Sequence, residues 1–114
     1  MILYGIKNCD TVKKARAWLS VEGIDYRFHD FRADGLDAST LETFEAVAGW
    51  EALLNRRGTS WRGLSEEQRA DVDRDKALAL MLAHPSLIKR PVLCADSKIM
   101  VGFTPENYAL ELKP

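Results

Sequence analysis

Ile2-Leu3-Tyr4-Gly5-Ile6-Lys7-Asn8-Cys9-Asp10-Thr11-Val12 changes its periodicity within a few residues, and that change decides the fold. Ile2 to Ile6 is a short apolar run, β-branched at both ends and bounded by Lys7-Asn8, which reads as a buried strand. From Thr11 the spacing becomes helical. Val12, Ala15 and Leu19 share one face with Trp18 beside them, Lys13, Lys14 and Arg16 fill the other, and Gly23 stops the helix. Ile24 to Phe31 then alternates, with Ile24, Tyr26, Phe28 and Asp30 on one side and Asp25, Arg27, His29 and Phe31 on the other. Strand, helix and strand joined this tightly form a βαβ unit, so the two strands are expected to run parallel.

Downstream, Asp34-Gly35 marks a turn, and Ser39 with Glu42 reads as a capping box opening a helix whose apolar stripe is Leu41, Phe44 and Val47 or Ala48, closed by Gly49. A short helix is expected over Trp50 to Asn55, ending at Arg56-Arg57-Gly58. Another begins at Ser65 with Gln68, and a third runs over Lys76 to Ala83 before His84-Pro85. No strand is expected between about Leu36 and Ile88. Pro91 to Ala95 is a strand, Asp96-Ser97 a two-residue turn, and Lys98 to Gly102 its antiparallel partner. Thr104 as N-cap and Pro105 at the first helical position open a last helix. The order βαβ, helices, ββα is an α/β thioredoxin-like layout with a helical insertion at about 36–88, and residues 1–114 read as a single domain.

A chain of 114 residues with 46% hydrophobic and 29% charged residues can build an ordinary core. Its net charge of -1 argues against a general nucleic-acid binder, which neutralises phosphates with a basic excess. The apolar start is too short for a signal peptide or a membrane span, so a cytoplasmic monomer without membrane or nucleic-acid partners is expected, its two cysteines reduced. Two scattered histidines do not make a metal site.

Cys9 falls at the bend between the first strand and the first helix. A thiolate there faces unpaired amide donors and the positive helix end, which depress a thiol pKa; Lys7 and Lys13 add positive potential and Asp10 opposes it. A small buried hydrophobe is the bland alternative for this residue. Val12 stands where a CxxC motif would put its second sulfur, so any redox chemistry is monothiol and needs an outside thiol to resolve it. Cys94, inside an apolar run, reads as structural, facing the core. A proline opening the third strand is expected to be cis, with its loop against Cys9. Arg90, and Arg56-Arg57 at a helix end, carry guanidinium forks suited to a thiolate, carboxylate or oxyanion, or else serve structure alone.

The run Tyr4 to Ala15 resembles the arsenate-reductase-like (ArsC) family in its Spx/YffB branch, and Gly49-Trp50-Glu51 through Thr59 and Leu87 through Val92 resemble the same branch. The resemblance spans essentially the whole chain and is nearest the YffB type. It implies a thioredoxin-like fold, Cys9 as nucleophile, Arg90 as one active-site arginine and Arg56 or Arg57 as another. The expected site is thus Cys9 and Arg90 as catalytic groups, with Asn8, Lys13, Arg56, Arg57 and Pro91 binding substrate and no metal. The implied activity is a glutathione-dependent thiol reductase, with glutathione as co-substrate and no bound cofactor. Two departures from family patterns bear on the alternatives. Gly102-Phe103-Thr104-Pro105 lacks the third arginine of arsenate reductases, and Val12 removes the CxxC switch usual in Spx regulators, which bind RNA polymerase.

Overall fold

The computed structural model describes Met1–Lys113. Two compact units are formed, one from Met1–Asp34 together with the segment from Arg90 on, the other from Gly35–Lys89.

In the first unit, β1 (Ile2–Gly5), α1 (Asp10–Val21) and β2 (Arg27–Asp30) are the βαβ unit, and β3 (Val92–Ala95), β4 (Lys98–Val101) and α7 (Pro105–Leu112) the ββα unit. The sheet order is β2-β1-β3-β4. β1 and β2 are parallel, as the crossover through α1 requires, while β1–β3 and β3–β4 are antiparallel. β2 is shorter than its alternation predicts. Its register with β1 starts at Ile2 opposite Arg27, so Ile24 to Tyr26 precede the ladder. The side chains of Ile24, Tyr26 and Phe28 nevertheless pack on the core with Trp18, as their period requires. That core is Leu3 and Leu93 from the sheet, Ala15 and Leu19 from α1, and Tyr108 from α7. Thr104 caps α7 by accepting from the Asn107 amide, with Pro105 at the first turn. Asp96 takes a positive φ of 54° in the β3–β4 turn.

Tyr108 is fully buried, edge-on to Trp18 and Phe103. Its hydroxyl has no hydrogen-bond partner among the described residues, and burial pushes its pKa up. An unsatisfied buried hydroxyl costs roughly 1–3 kcal/mol. Tyr108→Phe is therefore expected to stabilise the fold by about 1 kcal/mol, seen as a higher denaturant midpoint at unchanged slope. A lower midpoint would mean the hydroxyl contributes a bond of its own.

The second unit carries α2 (Ala38–Ala48), α3 (Trp50–Leu53), α4 (Thr59–Arg62), α5 (Glu66–Arg69), α6 (Arg74–Ala83) and a 3-10 turn (Pro85–Leu87). The Ser65–Gln68 capping box is present in full. The one placed at Ser39 is not: Asp37, extended at φ -103° and ψ 163°, caps α2 by accepting from Thr40. Leu41 and Phe44 of α2 are buried as expected, whereas Val47 is exposed. α4 has no counterpart among the expected helices, because four residues show no period. Arg74 of α6 pairs with Glu45 of α2 at 2.7 Å. Asn55 N–H to Leu87 carbonyl and Lys89 N–H to Leu53 carbonyl flank a single Leu54–Ile88 bridge, the unit's only sheet-like pairing among the described residues. Among the described residues no helix is long and apolar enough to cross a membrane.

Candidate active site

The loop after β1 is built to bring a strand and a helix close together. Gly5 is the last residue of β1, and a Cβ there would stand 2.8 Å from a methyl of Val12, so the glycine lets the first turn of α1 pack down on the strand. Cys9 N–H bonds the Ile6 carbonyl at 3.2 Å, and the Cys9 carbonyl accepts from Lys13 at 2.9 Å as the first bond of the helix. On the other flank Asp30, ending β2, accepts from the Lys7, Arg32 and Ala33 amides. Burial alone would raise its pKa. Those amides and the Arg32 charge outweigh this and hold Asp30 below the usual carboxylate range, so it is an ionised clamp on the cysteine loop.

Cys9 is thus the N-cap of α1, half-buried and free of any disulfide, its side chain making no regular capping bond. Partial burial pushes its thiol pKa up. The Val12 amide, the hydrogen bond and charge of Arg90, and the Thr11 amide outweigh that, and the pKa falls below the ordinary thiol value. Arg90, rather than Lys7 or Lys13, is the leading cation on the sulfur. The Arg90–Pro91 peptide bond is cis, as expected from the proline opening β3. Pro91 is buried, and its carbonyl accepts from the Gly102 amide at 2.8 Å. Asn8 and Lys13 are both exposed, on the loop and on the first turn of α1.

Cys94 is only half-buried, on a face that it shares with the fully buried Val92. In β3 the neighbour Leu93 enters the core cluster, and the pleat turns Cys94 to the other face, where it is half-buried. Burial raises its thiol pKa, so it stays a poor nucleophile. It lies opposite Ile2, at the end of β1 remote from Cys9.

Arg56 and Arg57 are exposed in the helical unit, where they line a cavity of about 360 Å³ with Glu51, Leu54 and Lys89. The Arg56 guanidinium stands 5.7 Å from the ring centres of both Trp50 and Trp61. Sequence reasoning passed over Lys89, although it adjoins Arg90 in the Leu87–Val92 run. The structure therefore has two groupings: Cys9 with Arg90 and Pro91 in the sheet unit, and Arg56 with Arg57 and Lys89 in the helical unit.

Comparison with known proteins agrees with this architecture. The ArsC family model matches residues 4–110. A solved YffB protein is 52% identical, with 97% of each chain covered and a TM-score of 0.94. An arsenate reductase (ArsC) related protein from Brucella melitensis is 56% identical, covering 99% of this chain and 94% of its own at a TM-score of 0.79. The global transcriptional regulator Spx of Lactiplantibacillus plantarum is 23% identical over 94% of this chain and 82% of its own.

Proposed function

We propose, starting from the fact that this chain belongs to the ArsC family, that it works through the Cys9 thiol as a glutathione-dependent thiol reductase in the cytoplasm. The observation that carries the reading is the setting of Cys9, with two helix amides and the Arg90 guanidinium favouring its ionised form. A thiolate is the nucleophile in disulfide exchange. Cys9 attacks a disulfide sulfur, forms a mixed disulfide and expels the other sulfur as a thiolate. Glutathione then attacks the mixed disulfide and returns Cys9 to its ionised state. In this reading Arg90 holds the thiolate, Pro91 and Asn8 border the approach, and Arg56, Arg57 and Lys13 bind carboxylates of the substrate.

A second reading has the stronger support among relatives named for a role. Several are Spx transcriptional regulators, at 21–26% identity. On that reading the chain is a binding module for RNA polymerase, and its surface matters more than its thiol. Arsenate reduction has less behind it, since the Gly102–Pro105 stretch supplies no third arginine.

Glutathione-dependent turnover of hydroxyethyl disulfide separates the two main readings. Wild type is expected to turn over and Cys9→Ser to lose at least 99% of the rate, the order of magnitude for removal of a covalent nucleophile. Turnover that survives Cys9→Ser, or none in wild type alongside stable binding to RNA polymerase, would sink the reductase reading in favour of the regulator.

A further inference from the structure

The β1–β2 ladder pairs Gly5 with Asp30 and closes with the Phe31 amide donating to the Gly5 carbonyl at 2.8 Å. Beyond it the chain turns towards the thiol through Ile6-Lys7-Asn8-Cys9, the turn held by the Cys9 amide donating to the Ile6 carbonyl. That bond leaves the Lys7 amide, at the second position of the turn, to find its acceptor elsewhere. The Asp30 carboxylate supplies it, Oδ2 accepting from Lys7 at 3.3 Å. The other oxygen accepts from Arg32 at 2.8 Å and Ala33 at 3.4 Å. The Asp30 backbone is tied to Asp34, its amide donating to Oδ2 at 2.9 Å and its carbonyl accepting from the Asp34 amide at 2.8 Å. The carboxylate is therefore fixed at the end of β2, and its bond to Lys7 carries the strand junction one step past the last backbone rung.

The groups that favour the Cys9 thiolate are of two kinds. The Thr11 and Val12 amides belong to the helix that Cys9 caps and move with it. Arg90 stands ahead of β3, on a separate element, so where the sulfur lies relative to its guanidinium depends on the loop between Gly5 and Cys9. We infer that Asp30 is a positioning residue for the nucleophile: by holding the Lys7 amide it sets the loop so that the Cys9 sulfur meets the Arg90 guanidinium. This deepens, and rests on, the reading of Cys9 as the working thiolate. It also reverses the sign that charge alone gives. A nearby carboxylate disfavours a thiolate, so deleting the Asp30 charge would by Coulomb repulsion alone make Cys9 more reactive. Loss of a positioning contact makes it less so.

Alkylation of Cys9 by iodoacetamide, followed against pH, reads the thiolate without any need of glutathione. Asp30→Asn keeps one acceptor oxygen, enough for the Arg32 and Ala33 amides but not for Lys7 as well. Its alkylation at neutral pH should be roughly fivefold slower than wild type, a share of what the Arg90 contact itself supplies, with the inflection moved up. Lys7→Pro deletes the donor while suiting the second position of the turn. It should be slowed to the same degree relative to Lys7→Gln, which loses the charge and keeps the amide. In an Arg90→Ala background Asp30→Asn should cause no further slowing, because the contact that it positions is already gone. Faster or unchanged alkylation in Asp30→Asn, equal rates in Lys7→Pro and Lys7→Gln, or an Asp30→Asn effect that persists in Arg90→Ala would overturn the proposal. Slowing that disappears in Arg90→Ala supports it even if no disulfide is turned over and the reductase reading fails.

Discussion

Treated with excess oxidised glutathione, the protein is expected to gain one glutathione, carried by the peptide that contains Cys9. Cys9→Ser should gain none, and Cys94→Ala should match wild type; peptide-mapped mass spectrometry reads all three. The difference between the two thiols is physical. Two amides and a guanidinium stabilise the Cys9 thiolate, whereas burial without such partners disfavours ionisation of Cys94. An internal bridge is blocked by geometry. Cys94 is opposite Ile2, while Cys9 is bonded back to Ile6 beyond the far end of β1. Four residues of strand span about 13 Å, against the roughly 7 Å that a disulfide allows between α carbons. A dominant Cys9–Cys94 bridge, or an adduct on Cys94, would defeat the monothiol mechanism.

Arg90→Ala should slow alkylation of Cys9 roughly tenfold at neutral pH, the scale of one lost charge-assisted hydrogen bond. In wild type the rate should rise with pH through an inflection below the ordinary thiol value, because the lowering influences at Cys9 outweigh burial. Removing Arg90 leaves the Val12 and Thr11 amides to oppose that burial, so the inflection moves up. Arg90→Lys, which keeps charge but not the planar fork, should fall between the two. Single changes at Arg56 or Arg57 should have smaller effects on alkylation. The linkage to stability has a definite sign. A folded pKa below the unfolded value of about 8.5 means that the thiolate stabilises the fold above that pH. The contribution is lost as pH falls through the folded pKa, and its upper limit shrinks in Arg90→Ala. An unchanged profile in Arg90→Ala would leave that residue a structural role only.

Much of the sheet unit was legible because its signals are local and periodic. Val12, Ala15 and Leu19 mark a helix face, Thr104-Pro105 a helix start, and a proline opening a strand a cis bond beside the thiol. Where two local signals compete, sequence cannot choose. Asp37 and Ser39 can each cap a helix, and the extended backbone at Asp37 decides between them. The Pro91–Ala95 run is apolar without alternation, so it carries no record of which face each residue takes or of why Cys94 is less buried than its neighbours. β2 was overextended because alternation reports side-chain direction, while ladder length depends on where β1 begins its pairing. Cys9 and Arg90 were each recognisable as candidates from their own surroundings. Lys89 was not, because its part in the basic cavity with Arg56 and Arg57 depends on Lys89 meeting the Leu53 carbonyl across a break of many residues.

The placement of the two thiols at opposite ends of one strand also sets a kinetic order. A protein whose second cysteine lies within reach clears its own mixed disulfide in a first-order step, at a rate indifferent to its surroundings. Here position 12 is a buried valine and Cys94 is a strand-length away, so an oxidised Cys9 can be released only by collision with another molecule. The lifetime of the modified state is then inversely proportional to the concentration of free thiol around it. Dilution of that pool lengthens the lifetime in proportion, with no change in the protein itself.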